Sequence, residues 1–279
     1  METQSVSPAY DVRGMNVVIT GGGGVLCSVM ASGLIANGAN VAILDRSLEA
    51  AEAAVKRMPS GKGAGRAIAL PCDVLQAESI QKAVDDTVAA FGSVDGLING
   101  AGGNRPTATT NAEQKFFDLP ADAVRSVFDL NIMGTIIPSQ VVGRLMAERK
   151  QGVILNISSM NSFRPLTRIP AYSAAKAGVS NFTQWLATHM AMEYSPNIRV
   201  NAIAPGFFLT EQNRYLMTDK ETGKPTQRGS QVLGHTPMGR YGVPEDLIGP
   251  TLWLMSPASA FVTGIIVPVD GGFSAYSGV

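Results

Sequence analysis

Tyr172 and Lys176 stand four residues apart in Ala171-Tyr172-Ser173-Ala174-Ala175-Lys176, at the head of a segment with a helical pattern. That spacing puts a phenol and an ammonium on one helical face, a turn apart. A lysine charge beside a tyrosine favours the phenolate and lowers a pKa that starts near ~10. A phenol tuned in this way can pass a proton to or from an alcohol or carbonyl oxygen. Such a pair recurs by chance in many sequences, so its meaning depends on what surrounds it.

The surroundings alternate short apolar runs with longer helical patterns. Strands are expected at Asn16–Thr20, Asn40–Leu44, Ala67–Pro71, Gly96–Asn99, Gly152–Ile157, Arg199–Ile203 and Ile265–Val269, and helices at Glu49–Met58, Glu78–Phe91, Ala121–Arg149, Tyr172–Tyr194 and Glu245–Met255. The strands are continuous apolar runs, as in parallel strands buried on both faces. This order predicts an α/β fold: a Rossmann-like, doubly wound parallel sheet of about seven strands with helices on both faces, in a single domain. The polar stretch at about 207–237 is read as irregular. It follows the sixth strand, where it would form a lid over a ligand crevice.

Composition narrows the function. The 279 residues are 45% hydrophobic, and 22 basic residues balance 22 acidic ones. No basic stripe points to nucleic acid, and no apolar run reaches membrane-spanning length. The N-terminus lacks an apolar signal region, so a cytoplasmic protein is expected. Two cysteines, Cys27 and Cys72, and two histidines offer no metal-binding pattern.

The first strand runs into Thr20-Gly21-Gly22-Gly23-Gly24-Val25-Leu26-Cys27. A glycine-rich turn between strand and helix lets the backbone approach a pyrophosphate and aims helix N-terminal amides at it. Gly21, Gly22, Gly24, Val25 and Leu26 are therefore expected around a dinucleotide. Asp45 closes the second strand, 21 residues beyond Gly24. A carboxylate there accepts from adenosine ribose hydroxyls and repels a 2′-phosphate, whereas the guanidinium of Arg46 could hold one. NAD is the expected cofactor, with NADP the alternative. Asp73 and Val74, after the third strand, are placed near the adenine, and capping of the next helix is the other role open to Asp73.

Asn99-Gly100-Ala101-Gly102, Asn131, Asn156-Ile157-Ser158-Ser159, Asn201-Ala202-Ile203-Ala204-Pro205-Gly206 and Val269-Asp270-Gly271-Gly272 complete an ordered series with the glycine turn and Tyr172-x-x-x-Lys176. In this series the chain resembles a short-chain dehydrogenase/reductase from about Val17 to Gly272. Val25, Cys27 and Gly100 depart from the family pattern. The resemblance implies a catalytic tetrad. Tyr172 would be general acid or base, Lys176 would tune it and hold the nicotinamide ribose, Ser159 would orient the substrate oxygen, and Asn131 would hold a relay water. It also implies cofactor contacts at Asn99, Gly100, Ala101, Pro205, Gly206 and Thr210, and a homo-oligomer, commonly a tetramer.

Within the family, the stretches Ala101–Asn104, Ser159–Pro170 and Gly271–Gly278 look like the short-chain type of D-mannonate oxidoreductase, also called fructuronate reductase. Gluconate 5-dehydrogenases are close in character, and a 3-oxoacyl reductase is a rival. A cofactor-sensing binding protein without turnover is the alternative of another class, against which the intact tetrad argues. The loops carry Asn104, Arg105, Asn161, Arg164, Thr167 and Arg168. Guanidinium groups grip carboxylates with paired hydrogen bonds, and amides and hydroxyls suit a polyol chain. Arg105 and Arg164 are expected on a substrate carboxylate, with Asn104 and Asn161 on hydroxyls. Gln212, Asn213 and Arg214 are further candidates. His235 is read as a loop hydrogen-bonder and His189 as structural.

Overall fold

In the computed structural model, which describes residues 7–210 and 214–278, seven parallel strands form one sheet in the order β3-β2-β1-β4-β5-β6-β7. They are β1 Asn16–Thr20, β2 Asn40–Asp45, β3 Ala67–Pro71, β4 Gly96–Asn99, β5 Gly152–Ile157, β6 Ile198–Pro205 and β7 Ile266–Val269. Alternate strand residues feed two cores. Val17, Ile19, Val41 and Ile43 pack with Met30, Leu34, Leu247 and Leu254 on one face. Val18, Ala42, Leu44 and Leu97 pack with Ile80, Val84, Val142 and Leu186 on the other. The two-residue period of a strand thus buries both faces, which is why the runs are apolar throughout. Strand order reverses between β1 and β4, and ligands of such sheets bind at the carboxyl ends beside that reversal.

Helices α1 Val25–Ala36, α2 Leu48–Val55, α3 Ala77–Phe91, α5 Gly134–Arg149 and α6 Pro170–Glu193 connect the strands. The long helix expected over Ala121–Arg149 is in fact broken. α4 ends at Phe128, a π-helical turn spans Asp129–Met133, and α5 begins at Gly134. Such bulges insert an extra residue into a helix and recur at functional sites. Here the turn carries Asn131. α6 begins at Pro170, whose fixed φ and missing N–H suit a first helical position. α2 starts later than Asp45 because Ser47 is the cap, its side chain accepting from the Ala50 N–H at 3.2 Å.

The described part of the 207–237 stretch is not irregular. It carries α7 Arg214–Met217 and α8 Gln227–Gly234, with Thr226 capping α8 and Met217 and Val232 buried between them. Its polarity hid a short amphipathic pair. The expected helix over Glu245–Met255 is a 3-10 turn, Pro244–Leu247, followed by α9 Ile248–Met255. Among the described residues, no helix is long and apolar enough to cross a membrane.

Candidate active site

The glycine turn sits at the carboxyl end of β1. Gly21 has φ +62, a left-handed conformation that favours glycine, and a Cβ there would lie 2.8 Å from Ala101 Cα. Gly22 packs on Ile43 and Gly23 on Ala50, so side chains are excluded from this cradle. Gly24 precedes α1 without a side-chain cap. The first N–H groups of α1, at Val25 and Leu26, have no partner within the helix. Asp45 is drawn to the same place, accepting from Gly23 N–H at 3.2 Å and Ser47 N–H at 3.1 Å. Arg46 is exposed and Asp73 half-buried, its carboxylate accepting from Leu75 N–H at 3.0 Å before α3 begins. Val74 is buried against Gly134. This cradle fits a dinucleotide pyrophosphate, and the acidic group beside it fits a ribose diol.

Thr20 was not singled out from the sequence, yet its buried hydroxyl accepts from Gly100 N–H at 3.2 Å and Ala101 N–H at 3.3 Å. It ties the loop after β4 to the glycine turn. Two of the three departures from the family pattern, Cys27 and Gly100, meet here. A Cβ on Gly100 would fall well inside van der Waals contact with Cys27 Sγ and 2.8 Å from Thr20 O. Burial pushes the Cys27 thiol up to about 12, so it is a filler rather than a nucleophile. The Asn99 side chain turns away from the loop. It is 1% exposed and donates to Ser139 Oγ and Asn156 Oδ1, both at 2.9 Å, so it belongs to the core.

The four tetrad positions converge below the ends of β4 and β5. Lys176 is buried and its ammonium donates to Ile157 O at 2.7 Å and lies 5.7 Å from the Tyr172 ring centroid. Asn131 is fully buried. Its Nδ2 donates to Val127 O at 2.7 Å and Gly103 O at 2.8 Å, and its Oδ1 accepts from Gly103 N–H at 3.1 Å. Gly102 is a second residue missed earlier. A Cβ there would lie 2.7 Å from Asn131 Oδ1 and 3.1 Å from Lys176 Nζ, so only glycine leaves room between them.

Ser158 and Ser159 separate cleanly. Ser158 Oγ pairs with Ser180 Oγ at 2.7 Å and donates to Lys176 O at 3.2 Å, committing it to α6. Ser159 caps a 3-10 turn, its hydroxyl accepting from Asn161 N–H at 3.3 Å. The tuning expected from Lys176 is not what the folded chain displays. Burial raises the Tyr172 pKa above its ordinary value, and the Ser159 hydrogen bond is what opposes it. Lys176 is itself lowered to about 8, and burial is the cause. The shared desolvated pocket disfavours both charged forms.

The substrate-side residues divide. Asn161 is buried and internally bonded, whereas Arg105, Arg164, Thr167 and Arg168 are exposed. Among the described residues, none of these three arginines has a carboxylate partner. Asn104 donates to Thr109 Oγ1 at 2.7 Å, which steadies its loop. Thr110 N–H donates to Arg168 O at 2.9 Å, joining that loop to the segment between Ser159 and Tyr172. Pro205 ends β6, Gly206 N–H donates to Val269 O at 2.9 Å, and Thr210 is half-buried further on. Gln212 and Asn213 lie outside the described residues, and Arg214 starts α7. His235 packs its ring on Phe273 and Tyr276, and His189 stacks on Trp185, away from the tetrad. No group of metal-binding side chains occurs among the described residues.

The short chain dehydrogenase family model matches residues 15–221. The uncharacterized oxidoreductase UxuB of Bacillus subtilis is 48% identical, with 96% of this chain and 98% of that protein covered. The 2-dehydro-3-deoxy-D-gluconate 5-dehydrogenase of Escherichia coli is 34% identical over 96% and 98%. A crystal structure of a "putative D-Mannonate oxidoreductase" from Haemophilus influenza with bound NAD superposes with a TM-score of 0.89 at 45% identity, covering 99% of this chain and 100% of that one. The ordered motifs, the sheet and these matches together place the chain in the short-chain dehydrogenase/reductase family, as an oxidoreductase of alcohol and keto groups.

Proposed function

We propose that this oxidoreductase uses NAD(H) to interconvert a keto group and a secondary alcohol on a sugar acid, preferably D-fructuronate and D-mannonate. The observation that carries the substrate class is the group of three exposed arginines, without carboxylate partners among the described residues, on two loops joined at Thr110 and Arg168. One loop follows Gly102, where a side chain would crowd Asn131 and Lys176. The other runs from Ser159 to Tyr172. A carboxylate bound at this rim would find paired donors. The names of the Escherichia coli and Haemophilus relatives point to the same chemistry.

When bound, the nicotinamide supplies the hydride for the substrate carbon. Gly21, Gly22, Gly24, Val25 and Leu26 would hold the pyrophosphate, Asp45 the ribose, and Gly206 and Thr210 would border the nicotinamide end. In reduction Tyr172 gives its proton to the substrate oxygen as Ser159 donates a hydrogen bond to that oxygen, and in oxidation the phenolate takes the proton back. Lys176 and Asn131 would replenish the proton from solvent. The segment at 207–237 would cover the bound substrate. Homo-oligomerisation fits the outer face of α5 and α6, where a groove of about 1190 Å³ is bordered by Trp185, Phe182 and Tyr194.

NADH and NADPH oxidation against fructuronate, tagaturonate, 5-ketogluconate and an acetoacetyl thioester tests this reading. Turnover of fructuronate with NADH is expected to dominate. Activity confined to the thioester, or a preference for NADPH, would overturn the substrate or the cofactor assignment.

A further inference from the structure

The Ser159 hydroxyl is held by a side chain outside the tetrad. Asn161 is 7% exposed, and its Oδ1 accepts from Leu166 N–H and from Ser173 Oγ, both at 3.2 Å. A backbone N–H can only donate, so the amide oxygen must face Leu166. The amide nitrogen is thereby turned to Ser159 and donates to its Oγ at 3.1 Å. The Asn161 backbone N–H donates to the same oxygen at 3.3 Å. A hydroxyl has two acceptor lone pairs and one proton. With both lone pairs engaged from the Asn161 side, the proton is free for a partner on the opposite side, where Tyr172 lies near enough for Ser159 to lower its pKa.

We propose that Asn161 is a positioning residue that makes Ser159 an obligate hydrogen-bond donor toward Tyr172 and the reacting oxygen. Its consequence for turnover rests on the oxidoreductase reading above, while the orientation of the hydroxyl does not. The proposal replaces the expected contact between Asn161 and a substrate hydroxyl, since the amide is already committed to Ser159, Leu166 and Ser173. A donor that cannot turn round favours an oxygen bearing lone pairs or negative charge: a ketone, an alkoxide or the phenolate itself. The lowering effect of Ser159 on the Tyr172 pKa has the sign this arrangement requires.

Few other groups compete for the phenol. Lys176 is the charged group facing its ring, at 5.7 Å, from α6 itself. α4 presents Val124, Val127 and Phe128, and the turn at Pro106–Ala108 presents Ala108.

The experiment compares Asn161→Ala, Ser159→Ala and the double variant, each with and without Tyr172→Phe. Tyrosinate absorbance against pH, taken as the difference made by Tyr172→Phe, reports the phenol without any substrate. Asn161→Ala is expected to move Tyr172 ionisation to higher pH and to lower kcat about tenfold, the worth of one hydrogen bond, with NADH affinity unchanged. Ser159→Ala should do at least as much, and the double variant no more than Ser159→Ala alone. An additive loss in the double variant, or a rise in KM alone, would overturn the proposal. Ser173→Ala, which frees one anchor of the amide and leaves Ser159 intact, should give a smaller shift of the same sign, and no shift would also overturn it. No turnover on the substrate panel with the phenol shift present would sink the substrate reading alone. Turnover with no shift would sink the positioning role alone.

Discussion

The buried floor of the site and its exposed rim obey different physics. Asn131, Ser159, Asn161 and Lys176 are at most 7% exposed, and each has hydrogen-bond partners inside the chain. Unsatisfied polar groups at that depth are costly, so folding itself sets their geometry. The rim, with Arg105, Arg164 and Arg168, is exposed and lacks described carboxylate partners. Its cations are exposed to solvent. On the proposed reading, the floor would serve any carbonyl of this reaction class, while the rim would select which carbonyl is presented.

Substitutions in the floor should therefore remove rate, and substitutions at the rim should remove affinity. The largest effect is expected for Tyr172→Phe: loss of the proton donor should lower kcat about 10³-fold with NADH binding preserved, read by steady-state rates and nicotinamide fluorescence. Arg105→Ala and Arg164→Ala should each raise KM for a sugar acid about 10- to 100-fold with kcat nearly unchanged, the range for a charged hydrogen bond. A kcat loss at Arg164 matching that at Tyr172 would erase the distinction between floor and rim.

Smaller effects test the packing beneath the floor. Gly100→Ala forces a Cβ onto Cys27 Sγ and should cost about 1–3 kcal/mol in urea unfolding. Cys27→Ala in the same chain should recover part of that loss, because Thr20 O remains close. The pH dependence is smaller still over one unit. Cys27 and Cys72 rise from 9.0 to about 12 and about 11 in the folded chain. Above pH 9 the unfolded thiols ionise while the folded ones keep their protons, so each lowers stability by about 1.4 kcal/mol per pH unit. Lys176, lowered to about 8, acts oppositely from pH 8 to its ordinary value, because the unfolded chain then holds more protons. Cys27→Ala should flatten the decline between pH 9 and 10, measured as urea midpoints, and an unchanged slope would contradict the buried thiol.

Much of this architecture was legible in the chain. All seven strands lie within a few residues of their expected bounds, because a parallel strand buried on both faces must be apolar at every position, and that is a local signal. The helical spacing of Tyr172 and Lys176, the glycine run after β1 and Asp45 at the end of β2 are local too. The amphipathic pair inside 207–237 was not legible, since each helix is too short to show a period.

The sequence by itself determined the order of elements, the family and the residue types that could move a proton. Only the tertiary structure decided which atoms meet. The π turn brings Asn131 to Gly103, and Ser158 turns to α6 while Ser159 turns to Tyr172. Asn161 became a brace for Ser159 because Leu166 N–H claims its oxygen. Burial set the signs for Tyr172 and Lys176, overriding the attraction their spacing suggests. Spacing along a chain constrains backbone periodicity, whereas hydrogen-bond direction and desolvation depend on every segment packed around a group, and those segments are distant in sequence.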